Sequence, residues 1–319
     1  MQKIGSAKIG RSSNLITVEF KMTSCKFSSL CFSGVIFSAG AFSHENNCKS
    51  IEVPIVFDQY GLPTIELIIN GQKNFALLDL GSTAGIHLPA SDINSMSGVK
   101  YTGKTSKSTN ISGKVFDDKE YVVSMLTIQC MTFENITGYE LNPWAASIGD
   151  KPEDVEDNQQ IVIGQGFFAD KKIIINYADK KLIVSKKMGS ISSKNNSKFK
   201  PYVLNDEGIT IQMSSSIANY QMVLDTGATN SILSINRVNI KESLAGCDFN
   251  LGPDVKCELF TSKVDVAGYD FVPNILLYPI DSRFTKDGLL GSDFFDKFIV
   301  ELDLANKKFS LTPSKGDVL

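Results

Sequence analysis

The sequence predicts an all-β protein of two homologous lobes facing each other across a cleft. Two observations carry that expectation. Strand signals dominate: Ile51 to Phe57, Thr64 to Ile69 and Phe75 to Leu78 are β-branched or aromatic runs, separated by Gly61-Leu62-Pro63 and Asn70-Gly71. A motif also occurs twice: Ala76-Leu77-Leu78-Asp79-Leu80-Gly81-Ser82-Thr83 is echoed by Gln221-Met222-Val223-Leu224-Asp225-Thr226-Gly227-Ala228-Thr229. In each copy an apolar run delivers an Asp, and a Gly follows two positions later.

The echo extends downstream. Ile161-Val162-Ile163-Gly164, an aromatic turn at Gly166-Phe167-Phe168 and the run Ile173 to Val184 return as Gly288-Leu289-Leu290-Gly291, Asp293-Phe294-Phe295 and the run Phe298 to Leu311. The Asp residues lie 146 positions apart and the Gly residues 127, so the first copy carries about 19 extra residues. An internal duplication with one insertion reads as two lobes of one fold.

Taken in order, residues 1–43 form an N-terminal extension. Lys21-Met22 and Lys26 precede a short apolar, small-residue stretch ending Ala39-Gly40-Ala41, the pattern of a signal peptide cleaved near Ala41, with Met22 as an alternative start. The first lobe is expected over 44–185. Its Asn70-Gly71 pair suits a two-residue hairpin, and Leu88 to Asp92 suits the start of a short helix. Lys104–Asn110 and Lys114–Met125 form a polar hairpin around Ile111-Ser112-Gly113. The stretch 143–160, acidic and poor in apolar residues, reads as the insertion, a solvated loop or a shaper of specificity. Residues 186–200, rich in Lys, Ser and Asn, read as a linker, and 201–319 as the second lobe.

The two Asp residues carry the chemistry. A carboxylate at the end of an apolar strand is costly unless its charge is used or satisfied. Two carboxylates sharing one proton divide acid and base roles. On these motifs the chain resembles the aspartic peptidases of the pepsin and retropepsin kind, most closely bacterial retropepsin-like domains fused in tandem, over about residues 50 to 313. The resemblance implies two six-stranded acid-protease β-barrel lobes, with Asp79 and Asp225 as the catalytic pair and no cofactor or metal. It makes Gly81, Ser82, Thr226 and Gly227 supports of that pair.

The Ser82 hydroxyl is expected on Asp79, favouring its ionised form and leaving the proton on Asp225, beside Ala228. The family places a Thr or Ser after each Asp as a brace between lobes. Thr226 fits and Leu80 does not. The hairpin at 104–125 stands where the family has its flap, with Tyr101 or Tyr121 as candidates to close over substrate.

Formal net charge is −3 and pI about 5.6, so nothing argues for a nucleic-acid partner, and no apolar run in the body of the chain reaches the length of a membrane span. Signal cleavage would leave Cys48, Cys130, Cys247 and Cys257, an even number suited to two disulfides in an exported chain, periplasmic or secreted. Cys247 and Cys257, close in sequence, are the favoured pair, and their spacing is not a metal signature. The sequence thus points to a monomeric endopeptidase acting on peptides or unfolded protein. A catalytically silent peptide-binding protein and a structural protein with a buried Asp pair are the competing readings.

Overall fold

In the strand Ser50–Phe57 alternate residues Ile51, Val53 and Ile55 turn inward, the two-residue period of a sheet with one buried face. This computed structural model of the chain describes residues 48–69, 71–142, 160–186, 199–239, 241–248 and 256–314. The expected N-terminal extension, nearly all of the acidic insertion and most of the linker lie outside the described residues.

The fold is all-β, in two sheets, with the short helices Ala90–Ser95 and Ser292–Lys297. The first helix starts after Pro89, a residue whose fixed φ suits a helix entry. Leu78, Leu80, Leu224 and Leu290 are among the fully buried side chains. Burial of each such side chain is worth about 1.5–3 kcal/mol, which holds the Asp-bearing strands deep in the molecule.

The duplication is visible in the strand pairing. Gln72–Asp79 runs parallel to Val162–Gly164, with Asp79 opposite Gly164. Val162–Gly164 pairs antiparallel with Ile86–Leu88, which runs parallel to Met131–Glu140. In the second copy Asn219–Leu224 runs parallel to Gly288–Leu290. That strand pairs antiparallel with Ile232–Ser234, which runs parallel to Ile275–Tyr278. Gly164 and Gly291 sit where the strand passes beneath the Asp loop. An added Cβ would meet the Ala84 and Ser82 carbonyl oxygens at 2.4 and 2.6 Å in the first copy, and the Asn230 and Ala228 oxygens at 2.7 and 2.8 Å in the second. Only glycine allows that approach.

The two copies are joined by their closing hairpins. Lys171–Asn176 pairs antiparallel with Phe298–Asp303, Ile175 opposite Val300 and Ile173 opposite Leu302. Ile174 faces Glu301, its counterpart 127 positions on, so the pairing is self-complementary about that point.

Among the described residues two disulfides form, Cys48–Cys130 and Cys247–Cys257, as befits a protein of an oxidising, exported environment. Among the described residues no helix is long and apolar enough to cross a membrane.

Candidate active site

Each Asp ends its strand in a tight Asp-x-Gly turn. The Gly81 N–H donates to Asp79 Oδ1 at 2.9 Å, and the Gly227 N–H donates to Asp225 Oδ1 at 2.9 Å. The amides of Ser82 and Ala228 donate to the backbone carbonyls of Asp79 and Asp225 at 3.2 and 3.4 Å, closing each turn. The two carboxyls are hydrogen-bonded to each other. Packing around them is reciprocal: a Cβ on Gly81 would lie 2.7 Å from the Asp225 carboxyl carbon, and one on Gly227 would lie 2.7 Å from that of Asp79. Glycine at both positions lets each backbone approach the opposite acid.

Electrostatics break this symmetry. Burial raises Asp79 above the usual carboxylate value, offset in part by bonds from Asp225, Gly81 and Ser82. Burial also raises Asp225, and the neighbouring Asp79 carboxylate pushes it well above the ordinary value. Two adjacent charges are costly, so the pair favours sharing one proton, and the stronger upward push on Asp225 makes it the readier of the two to hold that proton.

Thr226 is fully buried and ties the loops together. Its hydroxyl donates to the Leu78 carbonyl at 2.6 Å and accepts from the Leu80 amide at 2.9 Å. Leu80, also fully buried, carries no hydroxyl to return the tie and packs into the core instead.

Ser82 and Tyr121 depart from expectation. The Ser82 hydroxyl pairs with His87 Nε2 at 2.8 Å rather than bracing the Asp79 carboxyl, and the Ser82 amide donates to the Asp79 backbone carbonyl. Burial lowers His87 to about 4, so it is neutral at neutral pH. Tyr121 is fully buried and donates to the Ile86 carbonyl at 3.0 Å, so it is a core residue and not a cover for the cleft. Its hydroxyl is pushed up by desolvation. Tyr101 pairs with Tyr121 in register near the base of the hairpin and donates to Glu140 Oε2 at 3.1 Å. The hairpin itself is long, Val99–Thr109 against Val115–Ile128, and its tip is 110–114. In the second copy Glu258–Phe260 and Val264–Val266 pair with other strands and not with each other.

Three further residues escaped the sequence reading. His87 was one of only two histidines, the sole signal it gave. Tyr177, stacked on Phe295 at 5.5 Å, lies close enough to Asp79 and Asp225 for their charges to help raise its hydroxyl, mainly an effect of desolvation. Asp293 accepts from both the Ser231 amide and hydroxyl at 2.7 Å, bracing the second Asp loop from behind. Among the described residues no group of three or more His, Cys, Asp or Glu is arranged to hold a metal.

No protein-family model matches the chain, and no curated protein matches it in sequence. It is similar to the solved structure of basic 7S globulin from soybean, with a TM-score of 0.51, 11% identity, and 83% of this chain and 95% of that one covered. An aspartic proteinase from Irpex lacteus aligns with a TM-score of 0.49 and 14% identity, over 83% of this chain and 98% of the proteinase. At these identities the likeness is one of fold. The chain thus has a duplicated all-β architecture, similar in fold to the soybean globulin, with a paired-carboxyl centre.

Proposed function

We propose that the protein is an exported aspartic endopeptidase with Asp79 and Asp225 as its catalytic pair, Gly81, Ser82, Thr226 and Gly227 supporting them. The observation that carries this reading is the reciprocal packing of a buried Asp79 and a half-buried Asp225, their carboxyls hydrogen-bonded to each other and each held by the glycine amide of its own loop. A structural ion pair has no need of two carboxyls in one site, whereas acid–base catalysis uses one ionised and one protonated.

In this reading the ionised Asp79 takes a proton from a water held between the acids as that water attacks the scissile carbonyl. Asp225 gives its proton to the carbonyl oxygen. Collapse of the tetrahedral intermediate breaks the C–N bond, and the amine leaves with a proton from the pair. The chain divides into lobes at 44–185 and 201–319 joined through 186–200, a monomer with an internal pseudo-dimer like tandem retropepsin-like domains. Its substrates are peptides or unfolded protein in the periplasm or outside the cell.

One observation favours a second reading, a catalytically weak or silent peptide-binding protein on the same fold. Leu80 leaves the tie between the Asp loops one-sided. The deciding experiment digests a diverse peptide mixture with wild type and with Asp79→Asn, from about pH 3 to 7. Cuts made by the wild type and absent from the variant establish the pair as catalytic. A folded wild type that binds peptides and cuts none selects the second reading.

A further inference from the structure

The tip of the long hairpin reaches the second half of the molecule and is tied there. The Asp281 amide donates to the Ile111 carbonyl at 3.0 Å, and the Arg283 guanidinium donates to the Gly113 carbonyl. The Ile111 side chain packs against a small apolar cluster of Val223, Ile232, Ile280 and Leu289. Val223 lies two positions before Asp225, so the tip rests on the strand that delivers this acid.

Both partners are built for the contact. Gly113 has φ +88°, and a Cβ there would stand 2.4 Å from Asp281 Oδ2 and 2.6 Å from the Arg283 guanidinium, so glycine alone fits on both counts. Arg283 is aimed by Asp281, with Nε to Oδ1 at 2.8 Å and the second nitrogen to Oδ2 at 3.2 Å, a two-pronged pair that fixes the guanidinium plane. The receiving loop is itself pinned. Arg237 donates to the Phe284 carbonyl at 3.0 Å, and the Thr285 hydroxyl donates to Glu207 Oε2 at 2.7 Å.

We propose that Arg283, Asp281 and Gly113 form a latch that holds the hairpin shut across the cleft in the free protein, so that a peptide enters only after the latch parts. The latch stands on contacts independent of catalysis. Its role in admitting a peptide rests on the endopeptidase reading.

The Asp281 amide is protected by the Ile111 carbonyl only while the latch is closed, so its hydrogen exchange in the full-length protein reports opening without any substrate. Arg283→Ala is expected to speed that exchange by about five-fold, the value of one partly exposed charge-assisted hydrogen bond. Gly113→Val, which collides with the receiving loop, speeds it further. Amides in the pairing of Lys171–Asn176 with Phe298–Asp303 should be unchanged in both variants, separating release of the latch from loss of the fold. Exchange of the Asp281 amide at the same rate in wild type and both variants overturns the latch. Peptide cleavage is followed in parallel: a raised kcat/KM in Arg283→Ala supports gating, and an unchanged value beside faster exchange overturns it. Absence of cleavage by every form refutes the endopeptidase reading and leaves the exchange rates to decide the latch.

Discussion

Thr226→Val tests how far the tie between the Asp loops depends on one hydroxyl. The substitution keeps the side-chain volume and removes a group that both donates to Leu78 at 2.6 Å and accepts from Leu80 at 2.9 Å. Leu78 and Leu80 are fully buried, so no water reaches the stranded carbonyl and amide. Each buried polar group left unpaired costs about 1–3 kcal/mol, so the variant, which strands two, should lose about 2–6 kcal/mol of stability. Urea unfolding at neutral pH measures this as a lower midpoint at unchanged slope. In the endopeptidase reading the loosened loops displace the acids, and cleavage should slow by about 100-fold. Thr226→Ser keeps the hydroxyl and loses one methyl, costing about 1 kcal/mol with little change in rate. A Val variant within about 0.5 kcal/mol of wild type, or a Ser variant as damaged as Val, would refute the reasoning.

Two further predictions concern the scaffold. Burial lowers His87 from 6.5 to about 4, so the folded chain resists a proton that the unfolded chain accepts. Its contribution to stability is complete above about pH 6.5 and is lost as pH falls to about 4, a swing of about 3 kcal/mol. His87→Gln retains a partner for Ser82 and should remove that slope, and parallel stability–pH curves for variant and wild type would contradict the assignment. The Cys48–Cys130 bond closes a separation of 82 residues and Cys247–Cys257 one of 10. Chain-entropy arguments give about 4.5 and about 2.7 kcal/mol respectively. Cys48→Ala should therefore lower the unfolding midpoint more than Cys247→Ala, and the reverse order would show that loop closure is not what these bonds contribute.

Much of the architecture was legible because a duplication carries its own control. The Asp-x-Gly turn and the later glycine recur at matched positions, and both glycines prove to be sites where a side chain has no room. The Ser82 bond was misread because Asp79 is its neighbour in sequence, while the competing His87 approaches through the fold of the loop. Tyr121 was misplaced for a related reason. A two-residue alternation says that a residue lies on one face of a hairpin but not which face meets the core. Its burial is set by the Ile86–Leu88 strand packed beneath.

By itself the sequence determined that strands dominate, that the chain is a doubled unit, and that two acids follow equivalent apolar strands. Those properties are local or repetitive, and they are written in periodicity and spacing. The tertiary structure alone decided that the two carboxyls share a hydrogen bond, that Thr226 ties both Asp loops from one side, and that Arg283 meets Gly113 from 170 positions away. No pattern along the chain encodes such contacts, because they arise where separate surfaces meet and the better-matched hydrogen bond wins.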